Sequence, residues 1–257
     1  ITRQEFAQLM YNLFESNYIS SQSTAQTLSG KTVTGNVVVS GSGVTLSGFT
    51  INGDVVVGDG VGNRDAAFDG VKINGRLILR GGGENTVYLK NTVAGRVIIE
   101  KLSDGGIRIH GDGASAIETL EIPDGRDTIV IDCDVTNLSL SGSGLDVVIN
   151  GKIQNVFISG DGDAISGAGS VGNVLLKNGV KTFTFALDNA NIVNKTGYVV
   201  AVAMKDGEVA MIHADASVLI NTLQAAPQPA NTYLVAFHSD GGGDISPKSV
   251  TAGSSVG

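Results

Sequence analysis

Two asparagine–threonine pairs, Asn85–Thr86 and Asn91–Thr92, stand close together in the stretch GGGENTVYLKNTVAG. An asparagine side chain can close onto its own main-chain carbonyl, and a hydroxyl placed directly after it can attack that same carbonyl. Either route cuts the chain. The same dipeptides also suit an ordinary turn, where asparagine bonds its own backbone.

Carboxylates crowd several turns. VGDGVGNRDAAFDG holds Asp59, Asp65 and Asp69, IPDGRD holds Asp124 and Asp127, IDCDV holds Asp132 and Asp134, and SGDGDAISG holds Asp161 and Asp163. Calcium is a hard cation that takes carboxylate and carbonyl oxygens, and Asp/Gly turns supply both. The 59–69 turn is the preferred candidate, with Asp59, Asp65 and Asp69 as ligands. No turn has the EF-hand or GGxGxD spacing, and Asp-Gly is also a common turn dipeptide.

Sugar recognition uses aromatic faces against rings, with amides and carboxylates on hydroxyls. Phe49, Phe68, Tyr88, Phe157, Tyr198 and Tyr233 are the aromatics available; Tyr88, which alternation in VYL sets opposite Val87 and Leu89, and Phe157, in an outward column, are the preferred pair. A charged column of Asp54, Arg76 and Arg96 could bond hydroxyls or pair internally. Glycan cleavage needs an acid and a base flanking one linkage. The column lacks a second carboxylate, His110, His213 and His238 are scattered, and no Ser/His/Asp or HExxH pattern occurs. Cys133 in IVIDCDV reads as a small buried hydrophobe.

These residues sit on a repeat. The first inward aliphatics are Val37, Val55, Leu77, Val97, Leu120, Leu138, Val156 and Val174, at steps of 18, 22, 20, 23, 18, 18 and 18. The second inward set follows two residues on, from Val39 and Val57 to Ile158 and Leu176. Between these phrases lies another strand set: VTL (44–46), FDGVKI (68–73), VYL (87–89), IRIH (107–110), TIVI (128–131), DVVI (146–149) and TFTF (182–185). Short strands, glycine corners and a period near twenty residues predict an all-β, parallel β-helical solenoid of about eight rungs over 30–195. Asn137, Asn155 and Asn173 share a column and should stack as an amide ladder. An outward column of Val38, Val56, Ile78, Ile98, Glu121, Ser139, Phe157 and Leu175 is apolar at six of eight positions, and so reads as covered or used.

The flanks read differently. Residues 1–16 have helical spacing, with a Thr2–Glu5 capping box. Residues 17–29 read as a polar linker. Residues 196–240 read as an α+β cap: a hairpin turning at Asp206–Gly207, a short helix over 217–226 and a strand over 231–237. Residues 241–257 read as a Gly/Ser linker. The chain opens inside the helical pattern, as a piece of a longer protein would.

Composition narrows the function. Of 257 residues 42% are apolar, yet aromatics are 5% and tryptophan is absent, so the core is Val, Ile, Leu and Ala. Thirty-six glycines with 4 prolines indicate turns in a regular architecture. A net charge of −8 argues against nucleic acid and anionic membrane surfaces. A lone cysteine forbids an internal disulfide, and no apolar run is long enough to span a bilayer.

ITRQEFAQLMYNLFE resembles the closing helix of an S-layer homology domain. The body, with GDVVVG, INGRLILRGGGEN and AGRVIIEK, resembles carbohydrate-binding module family 54 of bacterial cell-surface glycoside hydrolases. That resemblance implies a right-handed β-helix that binds insoluble polysaccharide (chitin, β-glucan or xylan), with calcium dependence and self-cleavage at an Asn–Ser/Thr bond. It implies an extracellular place on a Gram-positive surface, held to a cell-wall polymer through anchor domains, with a catalytic region such as a chitinase or glucanase elsewhere in the parent. The alternatives are a rigid spacer and a β-helical lyase or hydrolase.

Overall fold

The computed structural model describes residues 1–6, 16–84, 87–125, 127–221, 232–235 and 248–251. Residues 1–221 form one unit, a parallel β-solenoid of about nine turns. Most turns give one strand to each of two sheets, and the first sheet also takes in the short strands Thr32–Val33 and Thr50–Ile51. The first sheet runs Ser16–Ile19, Asn36–Val39, Val55–Val57, Lys72–Leu79, Val93–Ile99, Ala116–Ile122, Val135–Leu140, Lys152–Ile158, Ser170–Leu176 and Asn189–Asn194. The second runs from Val44–Ser47 to Val200–Met204.

The expected register holds. Val37 pairs with Val55, Val55 with Leu77, Leu138 with Val156 and Val156 with Val174. Every one of these side chains is fully buried. Each rung pairs its amides with the rungs above and below at about 4.8 Å, while burying an aliphatic side chain adds roughly 1.5–3 kcal/mol. Neither term suffices for one rung alone, so the stack forms as a unit. Glycine stands where rungs approach too closely for a side chain. A Cβ on Gly75 would lie 2.3 Å from the carbonyl oxygen of Gly53, and one on Gly53 would lie 2.5 Å from that of Gly35.

The flanks depart from expectation in three places. Residues 17–29 are not a linker. Ser16–Ile19 is a strand in register with Asn36–Val39, and Ile19 takes the inward slot beside Val39. A short helix, Gln22–Gln26, follows, N-capped by Ser21. Its Gln22 amide accepts from Thr45 N at 2.7 Å and donates to Thr45 O at 3.0 Å, standing in for a missing strand at the sheet's open edge. The polar composition that suggested a loop is what seals this edge.

At the other end, Ser217–Asn221 is a strand, not the start of a helix. It runs antiparallel to Asn189–Asn194 because an open sheet edge is available and Val218 and Ile220 alternate as a strand requires. The hairpin is as expected: Val200–Met204 pairs with Val209–Ile212, and Gly207 turns at φ 86°. Buried Asn194 closes the inward column, donating to the carbonyls of Tyr198 (2.7 Å) and Ile212 (2.8 Å). In the second unit, Thr232–Val235 forms the expected strand, and Lys248–Thr251 pairs with it antiparallel rather than lying in a linker.

At the N-terminus the capping box is present, with Thr2 N donating to Glu5 Oε2 at 2.8 Å and Glu5 N to Thr2 Oγ1 at 3.2 Å. The rest of the expected helix, residues 7–15, lies outside the described residues, as do 222–231.

Candidate functional site

On the outer side of the second sheet one column carries Thr45, Ala67, Tyr88, His110 and Asp132 on consecutive rungs. Asn150 continues it, its Nδ2 donating to Asp132 Oδ1 at 2.6 Å. The Tyr88 ring meets the His110 ring edge-on, with centroids 5.9 Å apart at 70°. His110 Nδ1 lies 3.7 Å from Asp132 Oδ2. Arg108, two residues before His110 on the same strand, also pairs with Asp132.

Asp132 is the fixed point of this cluster, its side chain only 9% exposed. Burial works against its charge, but hydrogen bonds from Asn150 and Arg108 and the guanidinium charge outweigh that, so its carboxyl stays below the usual range. The neighbouring thiol behaves oppositely. Burial, with the charges of Asp134 and Asp132, pushes Cys133 up to about 12, which removes it as a nucleophile.

Two depressions flank the column and share His110 and Asp112. One, about 360 Å³, is lined by His110, Asp112, Ser115, Asp132 and Asn150. The other, about 310 Å³, is lined by Thr45, Asp69, Tyr88, Lys90 and His110. Together they make a trough across successive rungs, with an aromatic ring in its wall and polar groups along its floor.

The five residues expected to bind sugar are divided between faces. Tyr88, 40% exposed, lines this trough. Asp54, Arg76, Arg96 and Phe157 lie on the first sheet. Arg76 pairs with Asp54 through Nη2 (2.6 Å) and Nε (3.1 Å), and Arg76 N adds a bond to the same carboxylate at 2.8 Å. That pairing holds the Asp54 carboxyl below its ordinary value. Arg96 grips Glu121 with two bonds of 2.7 and 2.8 Å. Phe157 is half-buried, with Lys177 Nζ 4.8 Å above its ring. Asp54 and Arg76 thus satisfy each other within the column, while Arg96 is paired by Glu121 of the adjacent outward column.

Beyond Arg96 the same column holds Thr119, Asn137, Asn155, Asn173 and Asn191. The expected amide ladder is there, one rung longer than the sequence suggested: Asn155, Asn173 and Asn191 each donate to the asparagine before them, at 3.1, 3.2 and 3.3 Å. The outward aliphatics Val38, Val56 and Ile78 are half-buried, and Tyr18, 59% exposed, stands in register with Val38 at the head of their row.

The calcium ligands expected in the 59–69 turn do not converge. Asp59 faces Arg80 at 3.4 Å and Asp69 faces Lys90 at 3.2 Å, so two of the three carboxylates already have cations. Asp65 accepts from Gly43 N through its main-chain oxygen. Among the described residues no three acidic, histidine or cysteine side chains are grouped to hold a metal.

Asn85 and Thr86 lie outside the described residues. Asn91 has φ 48°, and its Oδ1 accepts from Ala114 N at 3.1 Å. The fully buried Thr92 hydroxyl bonds the carbonyls of Phe68 and Lys90, both at 3.0 Å, and accepts from Val71 N at 3.3 Å. Both side chains are tied to neighbouring rungs.

His110, Asp132, Arg108 and Asn150 were not grouped by sequence reasoning, although the signal was there. Aligning Ile109 of IRIH on Ile131 of IVID sets His110 against Asp132. The fold and trough define a parallel β-solenoid with an axial polar groove. No protein-family profile, characterised protein or solved structure matches the chain. No helix among the described residues is long and apolar enough to cross a membrane.

Proposed function

We infer that this chain is a non-catalytic polysaccharide-binding module, and that its ligand is an extended glycan lying in the trough of the second sheet. The observation that carries the reading is the continuity of that trough across rungs, with the Tyr88 ring in its wall and His110, Asp112 and Asn150 along it. A repeating polymer suits a site built by repetition, since neighbouring rungs can meet neighbouring sugars. An aromatic edge with a few polar groups is the usual composition of a sugar subsite. The resemblances in GRLILRGGGEN and ITRQEF favour chitin, β-glucan or xylan as ligand, and a parent glycoside hydrolase anchored at a Gram-positive cell surface.

Pull-down on chitin, β-glucan and xylan, each with and without EDTA, tests this. Retention on at least one polymer is expected, unchanged by EDTA because the acidic turn is ion-paired. Loss of retention with EDTA would restore a calcium role. No retention anywhere would favour a rigid spacer, and release of reducing or unsaturated sugar would favour a hydrolase or lyase.

A further inference from the structure

We propose that His110 meets the ligand as a bare hydrogen-bond acceptor, with its Nε2 lone pair turned to the groove, and that the groove thereby selects neutral, hydroxyl-rich glycans over uronic-acid polymers. This rests on the reading of the trough as a glycan site.

The argument starts from Asp132. Its carboxylate is buried and pinned by Asn150 and Arg108, so it is ionised and cannot turn away. His110 Nδ1 lies 3.7 Å from Asp132 Oδ2, is itself buried, and has no hydrogen-bond partner among the described residues. A lone pair on Nδ1 would face that negative oxygen, whereas a proton there is attracted to it. A neutral imidazole carries a single N–H, so fixing it on Nδ1 leaves Nε2 bare. Nδ1 is buried while the side chain is 39% exposed and lines both depressions, so the ring meets the groove through atoms other than Nδ1. Asp132 is then a positioning residue that sets the tautomer without touching sugar.

The remaining groove charges point the same way. Lys90 is committed to Asp69 and Arg108 to Asp132, while Asp112 and Asp134 have no cationic partner among the described residues. The site offers acceptors and a negative field. A ligand must bring donors, which means sugar hydroxyls or the N–H of an N-acetyl group. A uronate would bring its carboxylate against these groups, a like-charge clash that rejects as effectively as a steric one.

Two readouts on the intact chain at neutral pH decide it. Long-range nitrogen–proton correlation of the histidine rings reports the tautomer directly, and His110→Gln identifies the His110 signals. The expected result is a proton on Nδ1 and a bare Nε2, lost or mixed in Asp132→Asn. Calorimetry with laminarin, chitohexaose and polygalacturonate reports selectivity, with binding of a neutral probe and none of the polyuronate. His110→Phe keeps the ring contact with Tyr88 but removes the acceptor, and should weaken binding roughly tenfold, while His110→Gln restores most of the loss. A proton on Nε2 overturns the proposal whatever the sugars do. The expected tautomer with polygalacturonate preferred overturns the ligand class. The expected tautomer with no glycan bound overturns the reading of the groove as a glycan site and the ligand assignment with it.

Discussion

Asp163 and Leu145 are joined across adjacent turns by a buried hydrogen bond, the Leu145 amide donating to Asp163 Oδ1 at 2.9 Å. The other carboxyl oxygen, Oδ2, is buried with no hydrogen-bond partner among the described residues. Asp163 fills an inward slot that its neighbouring rungs give to the apolar Leu145 and Phe183, and it is 1% exposed. Burial pushes its pKa up to about 6, against the pull of the Leu145 and Gly144 amides. The folded state therefore binds this proton more tightly than the unfolded chain. Stability from this group is full below pH about 4 and falls as pH rises through about 6, by roughly 3 kcal/mol in all. Asp163→Asn should remove that slope. Melting temperature against pH for the two proteins checks it, and parallel curves would show that Asp163 does not titrate in this range.

Tyr88 and Arg96 lie on opposite sheets and make contrasting variants. Tyr88→Ala removes the aromatic wall of the trough and should lower retention on an insoluble glycan about tenfold, with little change in melting since the ring is 40% exposed. Arg96→Ala breaks a solvent-exposed pair with Glu121, where water and salt screen the charges, and should leave retention unchanged. The reverse pattern would move the binding face to the first sheet.

The glycine column makes a steric prediction. Alanine at Gly75 would place Cβ 2.3 Å from the Gly53 carbonyl oxygen, a rigid main-chain atom that can yield only if rungs separate. The expected loss is roughly 1–3 kcal/mol, the range for overpacking. Alanine at Gly144, where the added Cβ meets nothing within 4 Å, suffers only the strain of its φ of 70° and should lose less. Denaturant unfolding of both variants gives the comparison.

Thr92 bears on chain integrity. Its hydroxyl is bonded to Phe68 and Lys90 carbonyls and to the Val71 amide, so attack on the preceding carbonyl would first break a buried network. The Asn91–Thr92 bond should stay intact in aged protein, as mass spectrometry after prolonged incubation at neutral pH would show.

The solenoid was legible because its core obeys a strict rule. Val37, Leu138 and Val174 recur at fixed offsets, and each must face inward or the rung loses its apolar contacts. The strand Asp163–Ser166 was missed for the matching reason: an acid occupies the inward slot, and the aliphatic alternation breaks there. The terminal elements were misread where polar side chains act as backbone, as Gln22 does beside Thr45. The site was only partly legible. Tyr88 showed itself by alternation, but joining His110 to Asp132 required a second alignment, of Ile109 on Ile131, running on the other sheet. For Asp54, Arg76 and Arg96 the column was legible but the pairing was not: Arg76 turns back to Asp54, and Arg96 reaches Glu121 in the adjacent outward column.

Lys101 offers the last test, at a turn where the chain supplies its own cation. Its ammonium is wrapped by the main-chain carbonyls of Ser103, Asp104, Gly105 and Gly106, and the residue is 4% exposed. Burial lowers its pKa, while Asp127, Glu84 and Asp104 act in the opposite sense. Asp127 also accepts from Gly105 N at 2.6 Å, tying this turn to the next rung. Lys101→Met keeps the stem but strands carbonyls that have turned inward, and unsatisfied buried polar groups cost about 1–3 kcal/mol each. Relaxation and entering water reduce the total, so the expected loss is roughly 2–4 kcal/mol, with faster amide exchange at 103–106. If the turn stays ordered and stability is unchanged, the ammonium does not organise it.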